Sequence, residues 1–143
     1  MIQPNPEIEI IVNRAIDSAK SYNHEYVTLE HLLKSLINYE PFSELLKNFG
    51  VDLDGLNQDL DDYLYKQSEL ISQTENCEPK KTHSLERSFN RAFTQVLFSG
   101  RSHIQVIDIF LSVAQENNSH AAYFMLKYGM DRQKLVEFYN EHY

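Results

Sequence analysis

Tryptophan is absent from the 143 residues, cysteine occurs once, and glycine and proline occur four times each. A lone Cys77 cannot build an internal disulfide framework or a thiolate-rich zinc site, and it suits a reducing compartment. So few glycines and prolines cannot serve the tight turns of an all-β protein, and they exclude a collagen-like or low-complexity chain. No apolar run approaches the roughly 18 residues that a membrane span needs. The start, Met1-Ile2-Gln3-Pro4-Asn5-Pro6-Glu7, lacks the basic and then apolar order of a secretory signal. A cytoplasmic location is expected.

Positive charge is also scarce. Thirteen basic side chains stand against 21 acidic ones, for a net charge of −8. Such a surface repels a phosphate backbone, so nucleic acid and anionic membrane are poor partners. A basic face on another protein suits it, because complementary fields speed encounter and fix orientation.

What the chain does have is helical periodicity. Ile8, Ile11, Val12, Ala15, Ile16 and Ala19 follow the i, i+3, i+4 rule, so residues 7 to about 21 are expected to form an amphipathic helix beginning after Pro6. Thr28 is placed to cap a second helix through Leu29, Leu32, Leu33, Leu36 and Ile37, with Val27 and Leu32 as a hydrophobic staple. A third, short helix is expected with Pro41 in its first turn and Phe42, Leu45, Leu46 and Phe49 on one face, and Gly50 suits its left-handed stop. Asp52 then caps a fourth through Leu53, Leu56, Leu60, Tyr63 and Leu64.

Residues 72–83 lose periodicity around Pro79 and are expected to be a linker. Beyond it Ser84 is placed to cap a fifth helix, with Leu85, Phe89, Ala92, Phe93, Val96 and Leu97 inward. A sixth helix is expected from about Val106 to Asn117, a seventh after Ser119 and an eighth after Asp131. The order repeats: Asn13-Arg14-Ala15 recurs as Asn90-Arg91-Ala92, 77 residues later. At the same offset Val27, Leu29, Leu32, Leu33 and Leu36 fall on Ile104, Val106, Ile109, Phe110 and Val113. Phe49-Gly50-Val51-Asp52 matches Tyr128-Gly129-Met130-Asp131.

The expectation is one all-α domain of about eight helices, in two pseudo-twofold-related repeats of four. Repeat one covers about 5–71 and repeat two about 84–143, packed through their first-helix faces. A monomer is expected.

No signature of catalysis is present. The chain has no Gly-x-x-x-x-Gly-Lys-Ser/Thr phosphate cradle, no Gly-x-Ser-x-Gly elbow and no His-Glu-x-x-His zinc helix, so no enzyme activity or cofactor is expected. His24, Glu25, Glu30 and His31 could sit around a metal, but surface residues at helix ends account for them better, and no metal is expected. Asp59, Asp61 and Asp62 read as an exposed charged face, and Lys80-Lys81 as solvated linker residues. The aromatic residues Phe89, Phe93, Phe98, Phe110, Tyr123, Phe124 and Tyr128 read as core.

The stretch His24-Glu25-Tyr26-Val27-Thr28-Leu29-Glu30-His31-Leu32-Leu33 resembles the signature of the double-repeat Clp amino-terminal domain. Val51-Asp52-Leu53, Ser99-Gly100-Arg101 and Ser119-His120-Ala121-Ala122-Tyr123-Phe124 are most similar to the ClpA type, and the likeness runs from about residue 5 to 141. The resemblance implies a non-catalytic docking domain ahead of two ATPase modules. Such a domain takes substrates or the adaptor ClpS, which delivers proteins bearing N-degrons for Clp-dependent proteolysis. It further implies adaptor contacts at Glu25, Glu30 and Thr82, with His24, His31 and His83 as adjacent surface. A family zinc site would need an acidic residue where this chain has Tyr65. Because no ATPase module follows before Tyr143, the alternative is a free-standing homologue, phage- or host-encoded, that competes for the adaptor or holds unfolded substrate.

Overall fold

The computed structural model describes residues 5–67, 70–72 and 78–142, so Cys77 and part of the expected linker lie outside the described residues. Eight helices are found among them: α1 (Pro6–Ser21), α2 (Leu29–Ile37), α3 (Glu40–Phe49), α4 (Leu53–Tyr65), α5 (His83–Phe98), α6 (Val106–Ala114), α7 (His120–Lys127) and α8 (Arg132–His142). Two short strands, β1 (Tyr26–Val27) and β2 (Lys80–Lys81), pair in parallel with Tyr26 opposite Lys80 and Val27 opposite Lys81.

Local chemistry sets most of the boundaries. Asn5 accepts from the Glu7 amide to cap α1, with Pro6 in the first turn, where its missing N–H is harmless. Thr28, Asp52, Ser119 and Asp131 each accept from an amide in the first turn of the helix they precede. Gly50 closes α3 at φ 102°, and Gly129 stands at φ 75° after α7, a conformation that costs other residues strain. In both places the next amide turns back, Val51 N to Leu46 O at 3.0 Å and Met130 N to Met125 O at 2.9 Å.

Three boundaries differ from expectation. Residues 80–81 of the expected linker form β2, because their backbone completes the edge of β1. Thr82 rather than Ser84 caps α5: held by its own amide to Val27 O at 3.2 Å, it leaves the ladder in the extended conformation a cap needs. The sixth helix stops at Ala114, short of Asn117, and Gln115 is its C-cap.

The core is built by α2 and α6. In α2 every residue except Lys34 is buried, so the helix is enclosed on nearly every side. It packs on α1, α3, α4, α5, α6 and α7. Phe42 and Phe110 meet edge to face across the core with centroids 4.8 Å apart. The halves join chiefly through α2 against α5, α6 and α7 and through α3 against α8, while Val12 of α1 shares only a small cavity with Leu85 and Phe89 of α5. The reason is that α1 and α5 each bury one narrow stripe, Ile8-Ile11-Ala15-Ala19 and Leu85-Ser88-Ala92-Val96. These stripes sit 77 residues apart and are taken up by α2 and α6 respectively. Accordingly Phe93, Leu97, Phe98 and Tyr123, expected inside, are 39, 59, 85 and 58% exposed.

The correspondence extends to single atoms. Ser35 Oγ donates to Ile11 O at 2.6 Å, and 77 residues on Ser112 Oγ donates to Ser88 O at 2.6 Å, both buried. Replacing either hydroxyl by Ser→Ala should destabilise the domain by about 1 kcal/mol. Because the two bonds lie in separate helix pairs, the double variant should lose about 2 kcal/mol. Urea unfolding of the three variants measures this; strong non-additivity would show that the two helix pairs do not respond independently.

Candidate docking groove

A groove of about 550 Å³ opens where the start of α2, the side of α4, the start of α5 and the α6–α7 connection converge. Thr28, Leu29, Glu30, Tyr63, Thr82, Arg87, Gln115, Glu116 and His120 are among its lining residues. Its geometry follows from the β1–β2 pair. Each strand runs directly into a threonine cap, Thr28 for α2 and Thr82 for α5, so parallel pairing sets the two helix starts side by side.

Glu30 is 7% exposed, and its Oε2 accepts from Ala121 N at 2.8 Å. That amide lies in the first turn of α7, where the positive end of the helix dipole favours a carboxylate. Among the described residues Glu30 Oε1 takes no hydrogen bond. Burial and the Glu30 charge together push the Tyr63 phenol up to about 12. The Tyr63 ring lies 4.4 Å from that of His120, roofing this part of the groove.

On the opposite wall Glu116, also 7% exposed, holds Arg87 at 2.5 Å and Arg91 by a second short bond. The hydrogen bonds from Arg87, and then those from Arg91, keep the Glu116 carboxyl below its ordinary range against the effect of burial. Arg91 also donates to Ser112 O at 2.9 Å, while Arg87 remains more than half exposed at the rim.

The residues expected to contact a partner separate into three settings. Glu30 and Thr82 enter the groove. Glu25 is half-buried just ahead of β1, with its amide on Leu70 O and its carbonyl on Lys80 N. His83 is exposed in the first turn of α5.

His24 and His31, by contrast, are not adjacent surface: they are 3 and 0% exposed. Their burial follows from a capping box in which histidine takes the N3 place usual for Glu or Gln. The Thr28 amide donates to His31 Nδ1 at 2.9 Å, so that nitrogen carries no proton. His31 Nε2–H then donates to His24 Nδ1 at 2.9 Å, and the pair fits only as two neutral rings. Burial is the main cause lowering both, and with the His24 and Lys34 charges it takes His31 down to about 3.

The acidic run is not merely solvated either. Asp59 binds Lys127 at 2.7 Å and Tyr128 Oη at 2.6 Å, and Asp61 binds Lys34 at 2.7 Å, tying α4 to α7 and to α2. Nothing in the sequence pattern marked Tyr63, Arg87, Gln115, Glu116 or His120 as groove residues. Their one visible signal is the polar Gln115-Glu116-Asn117-Asn118-Ser119 run after an apolar helix. Among the described residues no three His, Cys, Asp or Glu side chains converge on a metal position, and no helix is long and apolar enough to cross a membrane.

The Clp repeat (R) N-terminal domain family matches residues 3–128. The chain belongs to this family. It is 32% identical over 132 residues to the ClpA homolog protein of Fuscovulum blasticum, which covers 92% of the chain but only 17% of that relative. The N-terminal domain of Hsp104 from Candida albicans superposes with a TM-score of 0.75 at 15% identity, over 94% of this chain and 87% of that one. The N-domain of ClpV, solved in complex with a VipB peptide, gives 0.66 at 18% identity over 92 and 81%. These folds are all-α amino-terminal domains of Clp-type proteins, as the eight helices here indicate.

The histidine pair makes stability depend on pH. In the unfolded chain both histidines protonate near the ordinary value of about 6.5, whereas the folded pair stays neutral. The unfolded state therefore binds more protons as pH falls below about 6.5, and stability drops progressively toward pH 3. Replacing His31→Gln keeps a neutral N3 partner for the Thr28 amide and removes one titrating group. The fall in urea midpoint between pH 7 and pH 4.5 should be shallower in the variant than in the wild type.

Proposed function

Clp N-terminal domains dock partners or substrates, and we propose that in this chain the α2–α5–α7 groove is the docking surface and a ClpS-like adaptor is its occupant. The observation that carries this reading is the meeting of Glu30 and Thr82 in one groove. The net charge of −8 and the half-buried Glu25 favour a basic partner. On this reading the domain is cytoplasmic, monomeric and without chemistry of its own. Its repeats run about 5–71 and 84–143.

Titration calorimetry with purified ClpS tests it. Glu30→Gln preserves an acceptor for the Ala121 amide while removing the charge, so the fold should survive. Combined with Glu25→Gln it should weaken binding at least about tenfold, since hydrogen bonds to charged groups contribute about 1.5–3 kcal/mol. Absence of binding at about 50 µM, or binding indifferent to the double substitution, rejects the proposal.

A second reading is supported by the exposed apolar end of α5, where Phe93, Leu97 and Phe98 face outward. Such a patch suits direct holding of unfolded segments, as in a free-standing regulator of the protease. Casein, an unstructured polypeptide, should then bind without ClpS, and Leu97→Ser with Phe98→Ser should abolish that binding while leaving ClpS binding unchanged.

A further inference from the structure

The duplication leaves a second groove whose counterpart in repeat one is filled by the chain itself. It holds about 570 Å³ and opens between α6 and α8, with Ile107, Leu111 and Val136 along its floor and Arg101, Arg132 and Asn140 exposed around it. In repeat one α4 packs on α2, and half-buried Tyr22 at the end of α1 stands in the corner between them. Its ring stacks on His24 with centroids 5.2 Å apart, Lys34 Nζ lies 5.4 Å from the ring centre, and Tyr22 Oη is 3.4 Å from Asp61 Oδ1. His24 and Lys34 correspond to Arg101 and Leu111 at the offset of 77, and Asp61 corresponds to Asn140 at the offset that relates Gly50 to Gly129. All three counterparts line the second groove. Tyr22 itself corresponds to Ser99, which ends α5 as Tyr22 ends α1. The short Ser99 side chain turns back to Val96 O at 2.8 Å and accepts from Arg101 Nε at 3.2 Å, so no ring enters from within.

We propose that the α6–α8 groove is a second docking site, separate from the α2–α5–α7 groove, and that its occupant is an acidic segment of a partner protein carrying an aromatic side chain. The aromatic ring takes the place that Tyr22 fills in repeat one. The Arg101 guanidinium is fixed by Asp108 through both terminal nitrogens, at 3.2 and 2.7 Å, and presents a planar cation of the kind on which aromatic rings stack. The apolar floor receives the body of the ring. Charge selects the rest of the segment. Asp108 is taken up by Arg101, whereas Arg132 pairs with no carboxylate among the described residues. An uncompensated guanidinium beside an apolar floor, on a chain of net charge −8, draws acidic residues to this one place. That preference is opposite to the one set by Glu25 and Glu30, so the two grooves suit different partners. The site does not rest on the ClpS reading, and either can hold without the other.

Titration of 15N-labelled protein with the blocked peptide acetyl-Glu-Asp-Tyr-Asp-Glu-amide, followed by NMR, tests this. The backbone amide signals of Arg101, Leu111 and Asn140 should shift saturably, with a Kd below about 1 mM. Alanine in place of the peptide's tyrosine, or lysine in place of its acidic residues, should weaken binding at least about tenfold. Arg132→Glu should weaken it by a similar factor, and Ser99→Tyr, which supplies the ring from within as Tyr22 does, should abolish it. Both substitutions lie away from the α2–α5–α7 groove and should leave the affinity for ClpS as it is in the wild type. Absence of saturable shifts up to about 5 mM peptide, equal affinity for the alanine peptide, or unchanged affinity in either variant overturns the inference. So does a dimer of the wild type that Ser99→Tyr dissociates in sedimentation, which gives the groove to a second copy of the chain. Failure of the wild type to bind ClpS overturns the docking reading alone.

Discussion

Helix α2 leaves only Lys34 to water, and the rest of the domain is arranged around that fact. Nine residues are too few for a stable isolated helix, so its existence depends on what encloses it. Enclosure also means that its buried polar residues meet other parts of the protein, and each meets a different element. Ser35 donates to α1, His31 closes the turn behind β1, and Glu30 reaches across to the start of α7. The helix that fills the core thereby also fixes the positions of the elements that border the groove. Disturbing its first turn would move Thr28 and Glu30 together, while Thr82 is tied to the same place through the β1–β2 ladder.

Much of this arrangement was legible from the sequence, because it is written in local chemistry. The caps at Thr28, Asp52, Ser119 and Asp131 and the glycine stops need only a few neighbouring residues to be recognised. Apolar spacing found all eight helices for the same reason. What escaped was decided by contacts between distant residues. Phe93 and Leu97 fit the helical period of α5, yet its buried stripe is the narrower line through Leu85, Ser88, Ala92 and Val96, which includes a serine and an alanine. Periodicity ranks residues by hydrophobicity, whereas close packing of α5 on α6 selects small ones. The Lys80–Lys81 strand has no apolar alternation, since its pairing depends on backbone alone. The groove was half legible. Glu30 and Thr82 were singled out by resemblance, but Gln115, Glu116 and Tyr63 reach it from two other elements, and no spacing rule links them.

The two halves differ around the starts of α2 and α6, and the difference can be followed residue by residue. At an offset of 77, His24 and His31 correspond to Arg101 and Asp108. Asp108 accepts from the Gln105 amide at 2.8 Å, the same reach-back bond that His31 makes to Thr28, and Arg101 pairs with it at 2.7 Å. The geometry of the box is retained while its chemistry changes from two neutral rings in the core to a partly exposed ion pair. An ion pair in the position of His24 and His31 would carry a heavy desolvation cost, because that site is enclosed. Neutral imidazoles can join donor to acceptor there without bringing charge inside.

The neighbouring position separates the halves in chemistry. Glu30 corresponds to Ile107, so the first turn of α6 carries an apolar side chain where the first turn of α2 carries a carboxylate. Ile107 is 6% exposed, and burying it requires no hydrogen bonds. Glu30 is as deeply placed but remains polar, and only one of its two oxygens is satisfied by the Ala121 amide. A carboxylate kept at a position where the equivalent turn folds well with isoleucine is hard to explain by packing alone. Its hydrogen bond to the start of α7 gives it a structural task across the two halves that Ile107, beside cavities of its own at the equivalent turn, does not have.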